Sequence, residues 1–282
     1  MALDKAIDSA QLDANLTAIA DTIRAKGVTS EALAFPAGFV SAVQAIQAGG
    51  GDDRSIKDII ERTAVHPTLP SNLTKIGKYA FNQCTNLALT SLPEGITAIE
   101  DYAFNGCKNL ALTSLPDGVT TISQYAFKDC TKLALTSLPD GVTGSLGFST
   151  FQNCTNLALT SLPAGVTLLS SSVFSGCTKL ALTSLPDGVT HLGDWAFSEC
   201  TNLALTSLPA GVTIIGGNTF KNCTGLKEIT FNGTPNKINA SAFTGCTNIL
   251  TINVPWAESE IDGAPWGATN ATINYGYTGE EA

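Results

Sequence analysis

The chain is poor in the side chains that do chemistry. Its 282 residues include two histidines, His66 and His191, and one methionine, and only 14% of the residues are charged. Isolated histidines of this kind read as solvated side chains rather than general bases. No GxSxG, HExxH, P-loop or strand–helix GxGxxG pattern occurs, so neither an enzyme nor a cofactor site is expected. Positive charge is also scarce: 15 basic against 24 acidic residues leave a net charge of −9. That balance argues against nucleic acid or an anionic membrane surface as partner, because both need a basic patch. No apolar run approaches the roughly 18 residues that span a bilayer, so membrane insertion is not expected. The start, MALDKAIDSAQLDANL, lacks a basic stretch followed by an apolar core, so a secretory signal is not expected either.

What the chain does have is a period. Its eight cysteines stand at 84, 107, 130, 154, 177, 200, 223 and 246, in steps of 23 with one of 24. A phenylalanine precedes each by three residues, from Phe81 to Phe243. A fixed period of this size marks a solenoid of stacked supersecondary units and shifts the expectation from catalysis towards binding. There is one cysteine per repeat, with no CxxC pair and no histidine at ligand spacing. The column therefore reads as buried, reduced thiols that pack as small hydrophobes. Zinc is not expected, because tetrahedral ligands must converge on a point rather than line up.

Residues 92–114 (LPEGITAIEDYAFNGCKNLALTS) and 115–137 (LPDGVTTISQYAFKDCTKLALTS) show the unit clearly. In G-V-T-x-I the apolar residues lie three apart around a β-branched pair, which suits a short strand entering the core. Ala, Phe and Cys at i, i+1 and i+4 predict the inward face of one helical or 3₁₀ turn. L-A-L-T-S-L-P predicts a second short strand, ended by a proline that cannot donate to a ladder. The expected fold is a mainly β repeat solenoid: a right-handed coil of about eight 23-residue units with Phe, Cys and Leu columns inside. Glycines such as Gly95, and Asp117, Asp140 and Asp187 before their glycines, read as turn residues.

The unit resembles the BspA-type leucine-rich repeat, whose pattern runs CxxLxxIxLPxxVxxIxxxAFxx, over roughly residues 69–254. One feature departs from it. The family places Ile or Leu six residues after Cys, whereas Thr90, Thr113, Thr136, Thr160, Thr183 and Thr206 stand there in the first six repeats; only Ile229 and Ile252 follow the pattern. Either a small bulge or an internal threonine ladder would absorb this. The fourth repeat, GVTGSLGFSTF, carries the extra residue, which predicts a kink near Gly144.

The ends differ in composition, and four segments are expected: residues 1–51 a helical appendage ending in a Gly-Gly-Gly linker, 52–68 an N-terminal cap, 69–254 the solenoid, and 255–282 a Trp-containing C-terminal cap and tail. Leu12, Leu16, Ile19 and Ile23 fall at helical spacing with Gly27 as C-cap. Pro36 opens a second helix with Phe39, Val40, Val43 and Ile46 on one face. These ends resemble those of leucine-rich-repeat proteins of tailed phages and prophages of Gram-positive gut bacteria. The resemblance implies a tail-associated protein found in the virion, or in the host cytoplasm before lysis, with residues 1–48 touching other virion proteins and the solenoid touching a host cell-surface protein or glycan. The alternative is a bacterial surface or intracellular protein-interaction or adhesion module of the same repeat family.

Candidate ligand contacts come from comparing the repeats with each other. LALTS is unchanged in six units, while variation gathers in the triplets before each Ala-Phe position. Tyr79, Tyr102, Tyr125 and Trp195 share one column there, with Phe148 one residue ahead of it. Asp101, Gln124, Asp194 and Asn218 flank or continue that column, and His191 lies four residues before Trp195. The rings have two readings. They cover the apolar edge of the turn, which the frequency of Tyr at this position in the repeat family favours, or they stack on sugar rings whose hydroxyls bond the flanking polar groups. A lattice-binding Thr-Ser ladder is set aside, because adjacent residues of a strand point to opposite faces.

Overall fold

The computed structural model describes residue 69 and residues 71–279. The helices expected in residues 1–51 and the N-terminal cap expected in 52–68 lie outside the described residues. The chain forms a parallel β-solenoid of about nine turns. Coil 1 is taken as the one that contains Phe81 and coil 8 the one that contains Phe243.

One strand per coil comes from the G-V-T-x-I segment: β1 (Lys75–Ile76), β2 (Ala98–Ile99), β3 (Thr121–Ile122), β4 (Gly144–Leu146), β5 (Val166–Leu169) and β6 (His191–Leu192). After β7 (Ser207–Leu208), the same column continues with β8 (Ile214–Ile215) and β10 (Lys237–Ile238). The remaining strands, β9 (Glu228–Phe231), β11 (Thr251–Val254) and β12 (Thr272–Tyr275), join β7 in a second column. Every pairing is parallel, as it must be when each coil repeats the path of the last. The strands are short because only the x-I pair is held flat, with Ile facing in and its neighbour facing out.

No helix occurs among the described residues, so the helical turn expected at Ala-Phe-x-x-Cys is not what forms. Instead the backbone amides alternate. In coil 1, Ala80, Asn82 and Cys84 donate to carbonyls three residues back (Gly77, Tyr79 and Phe81). Tyr79, Phe81 and Gln83 donate forward to Asp101, Ala103 and Asn105 of coil 2 at 2.6–3.0 Å. Overlapping turns and inter-coil bonds thus share the same few residues. Coils 1 to 7 each carry two left-handed residues, and coil 8 carries only the second, Gly245. One is the Tyr79 column, and the other is four residues later, where Gly106 (φ 76°), Asp129 and Asn153 (φ 60°) stand. Gly, Asp and Asn are the residues that enter that region most readily.

The interior is columnar. Phe81, Phe104, Phe127, Phe151, Phe174, Phe197, Phe220 and Phe243 are buried and stack with ring centroids 5.0–5.7 Å apart. All eight cysteines are buried, and none is in a disulfide. They do more than fill space. From Cys107 to Cys246 each thiol donates to the carbonyl oxygen of the phenylalanine in the preceding coil, at 2.9–3.1 Å. Burial pushes the Cys177 thiol well up from its ordinary value and that of Cys246 up to about 12.

The LALTS segments are not strands in the first five coils. Adjacent copies share one backbone bond, from each Ala to the second Leu of the previous copy, as from Ala111 to Leu89 at 3.0 Å. Both Thr113 and Ser114 are exposed, as are Thr136 and Ser137. Neither the internal threonine ladder nor strand-like alternation is present: a bend at the threonine turns it and the serine outward together. Where Ile229 and Ile252 replace the threonine, full ladders form in β9 and β11. A buried isoleucine holds the segment flat, and an exposed threonine does not.

The extra residue of the fourth repeat has a defined effect. Gly144 takes φ +74°, and the register of β4 against β5 slips between Gly144 and Ser145. No ladder joins β3 to β4, so the first strand column is split into two sheets there. The turn side stays continuous, with Tyr125, Phe127 and Asp129 still donating to coil 4.

At the C-terminal end Phe231 of β9 packs with Trp256 and Trp266, which follow coil 8, and the three rings close the core with centroids 5.2–6.2 Å apart. Trp266 Nε1 donates to the Asp262 carbonyl at 2.9 Å. Trp256 Nε1 is buried without a partner.

Candidate functional site

The variable triplets of coils 1 to 7 line up because each ends on the same left-handed residue of the same turn. At Tyr79, Tyr102 and Tyr125 that conformation stands the rings in a stack. Tyr79 and Tyr102 lie 4.8 Å apart with planes 12° apart, and Tyr102 and Tyr125 lie 4.5 Å apart with planes 11° apart. Stacking occupies both faces of the Tyr102 ring. Burial, then the neighbouring Tyr125 and Tyr79, raise its hydroxyl above the ordinary tyrosine range. Lys78 and Lys128 sit 5.9 Å from the Tyr79 and Tyr125 ring centres, a cation–π arrangement. Asp101 accepts from Lys78 Nζ at 2.9 Å and Gln124 Nε2 at 3.4 Å.

This geometry divides the expected contact row. A sugar stacks on the face of a ring, and the stack leaves Tyr102 no free face. Tyr79, Tyr102 and Tyr125 are therefore packed together, and Asp101 and Gln124 bridge neighbouring coils on their flank. The column is then interrupted by Ser149 and Ser172, and Trp195 stands in coil 6 between Ser172 and Asn218 with no ring partner among the described residues. Trp195 is 45% exposed and Phe148 52% exposed, and they are the exposed large aromatic side chains of the described residues. Asp194 accepts the Gly217 N–H through Oδ1 at 2.6 Å. Asn218 is tied through its own N–H to Ser241 Oγ at 3.2 Å.

His191 is not in this column. It lies in β6 with its ring Nδ1 3.0 Å from Thr190 Oγ1, paired in register with Leu168 of β5 and Ile214 of β8. Ile214 is 38% exposed, so on the outer face of the sheet His191 is flanked by two apolar side chains, Leu168 and Ile214. Ser171 and Ser172, in the Ser-Ser-Ser triplet of coil 5, were not among the expected contacts, although the structure sets them between the coils of Phe148 and Trp195. Sequence comparison also missed a groove of about 500 Å³ on the other side, lined by residues including Ala204, Thr206, Gly225, Lys227, Glu228 and Leu250. That groove forms where the bent LALTS segments give way to the flat second column.

Among the described residues no group of His, Cys, Asp and Glu converges into a metal site, and no helix is long and apolar enough to cross a membrane.

The periodic core has counterparts. A leucine-rich-repeat protein of Bacteroides ovatus has the same fold, with a TM-score of 0.52 and 23% identity over 75% of this chain. The chain spans 61% of the length of that protein. A leucine-rich-repeat protein of Treponema pallidum is 28% identical over 66% of this chain and 78% of its own, with a TM-score of 0.46. No curated protein matches the chain. Six copies of the BspA type leucine rich repeat region match residues 63–180 and 144–264. With the Ala-Phe, Cys and Leu-Pro offsets repeated through the described coils, the chain belongs to the BspA-type leucine-rich-repeat family.

Proposed function

We propose that this protein is a non-enzymatic binding scaffold whose solenoid contacts a protein or glycan on a host cell surface through the side that carries Phe148, Asp194 and Trp195. The observation that carries this reading is the contrast between coils. Phe, Cys and Leu columns are held constant and buried, while among the described residues the exposed aromatics are confined to the variable triplets. A repeat whose only duty was to stack would have no need of an exposed tryptophan, and exposed aromatics are the side chains that most often anchor a contact.

The resemblance of both ends to phage and prophage leucine-rich-repeat proteins supports a tail-associated role, with residues 1–48 attached to the particle and the solenoid presented outward. Antibody labelling of purified virions tests this: labelled particles support it, and bare particles alongside labelled bacterial cells favour the alternative, an interaction or adhesion module of the bacterium itself. Binding of the purified protein to host cells, compared between wild type and Trp195→Ala, tests the contact side.

A further inference from the structure

Coil 5 is the only one of the described coils whose variable triplet is Ser-Ser-Ser, residues 170–172, and it lies between the two coils that carry exposed aromatics. Phe148 belongs to coil 4 and Trp195 to coil 6. Two coil steps separate them, roughly 10 Å at the spacing of parallel strands. That is close to twice the distance at which one ring packs on another, which leaves room along the solenoid for one ring-shaped group, with Phe148 in the column of Ser171 and Asp194 and Trp195 in the adjoining column of Ser172.

The floor of this slot is polar and unspent. Ser170 is committed, with its Oγ 3.1 Å from Ser145 Oγ. Ser171 and Ser172 are half-buried, and their backbones are engaged: the Ser171 carbonyl accepts from Ser149, and the Ser172 N–H donates to Asp194 at 2.9 Å. Their hydroxyls make no hydrogen bond among the described residues. Asp194 holds Gly217 with Oδ1, which leaves Oδ2 as an acceptor beside Trp195. From Phe148 to Trp195 the one lysine or arginine is Lys179, and its Nζ is taken by Asn156 Oδ1 at 2.6 Å.

Resting on the binding-scaffold reading above, we propose that this slot binds one unit of a neutral saccharide, held between Phe148 and Trp195 with its hydroxyls bonded to Ser171, Ser172 and Asp194. A sugar ring presents C–H faces to aromatic rings and hydroxyl donors to a carboxylate, so both halves of the slot are satisfied. An aromatic side chain from a protein partner would bury the serine hydroxyls and the carboxylate without partners, which is costly. An anionic sugar would meet the Asp194 carboxylate, and the one cation of the stretch from Phe148 to Trp195 is already held by Asn156.

Trp195 is itself the reporter, since Trp256 and Trp266 are buried. The full chain is titrated with tetrasaccharides of 1,4-linked glucose, galactose and mannose, whose units keep the 2,3-diol that periodate cleaves, while tryptophan emission is followed. A saturable shift with at least one of the three is expected, weakened tenfold or more in Phe148→Ala and in Asp194→Asn, and unchanged in Tyr102→Phe. In parallel, binding to host cells is measured before and after mild periodate, which cleaves sugar diols. Loss after periodate supports the slot. Binding that survives periodate, or a titration in which none of the three sugars moves the emission, overturns it while leaving the scaffold reading intact. A wild-type protein that binds no host cells at all sinks the scaffold reading instead.

Discussion

The thiol of Cys130 donates to the carbonyl oxygen of Phe104 at 3.0 Å, across 26 residues of chain. The same oxygen accepts the N–H of Cys107 at 3.0 Å. One carbonyl therefore closes the turn of its own coil and receives the next coil as well, and the relationship repeats along the solenoid. This gives the cysteine column a role beyond volume, because the side chain is small enough for the close-packed centre and still carries a donor.

Cys130→Ala removes both the packing atom and the donor. It should lower stability by about 1–2 kcal/mol in chemical denaturation. Cys130→Val, which restores volume without the donor, should not recover all of that loss. Full recovery in Val would mean that the hydrogen bond contributes nothing measurable.

The buried thiols should also make the fold sensitive to alkali. From Cys107 to Cys246 seven thiols are raised by burial, while in the unfolded chain a thiol ionises near about 8.5. A raised folded value means that the stabilisation is complete below about pH 8.5 and declines as pH rises towards the folded value. Each thiol can contribute a slope of up to about 1.4 kcal/mol per pH unit. Melting temperature should thus be flat between pH 6 and 8 and fall steeply above about 9. A variant with Cys130, Cys154 and Cys177 all replaced by Ala should show a shallower fall, whatever its starting stability.

Tyr102 and Trp195 occupy the same position of the repeat with opposite consequences. Tyr102→Ala breaks two ring contacts and should cost about 1–2 kcal/mol. Trp195→Ala loses a half-exposed ring without a ring partner and should change stability by no more than about 0.5 kcal/mol. Thermal melts of the two variants compare them directly, and equal losses would place Trp195 in the packing as well.

Trp256→Phe should be neutral or slightly stabilising, because it keeps an aromatic ring against Phe231 and removes a buried N–H without a partner. Trp266→Phe removes an N–H that bonds Asp262 at 2.9 Å and should destabilise by about 1–3 kcal/mol. Urea midpoints of the two variants check the order.

Deleting Gly144 restores the 23-residue step. The β3 and β4 ladders should then join, and amides around residues 121–123 and 145–147 should gain protection from hydrogen exchange. Unchanged exchange would show that the split has another origin than the extra residue.

By itself the amino-acid sequence determined the solenoid, its period and its interior. Phe and Cys recur at fixed offsets, and a side chain that meets only its own copies in neighbouring coils must form a column. The extra residue in the fourth repeat located the break at Gly144 for the same reason: register is a count of residues. What only the tertiary structure decided was how the remaining backbone is satisfied. The Ala-Phe-x-x-Cys turn was expected to be helical, but its amides alternate between their own coil and the next, and that choice exists only once a neighbouring coil is present. LALTS was expected as a strand, but its exposed threonine bends it until Ile229 and Ile252 bury a side chain in that place. Tyr79, Tyr102 and Tyr125 could be aligned from sequence as a column. Whether their faces were open or spent on each other depended on the 4.5–4.8 Å between rings in adjacent coils. That spacing belongs to the stacked solenoid and to no single repeat.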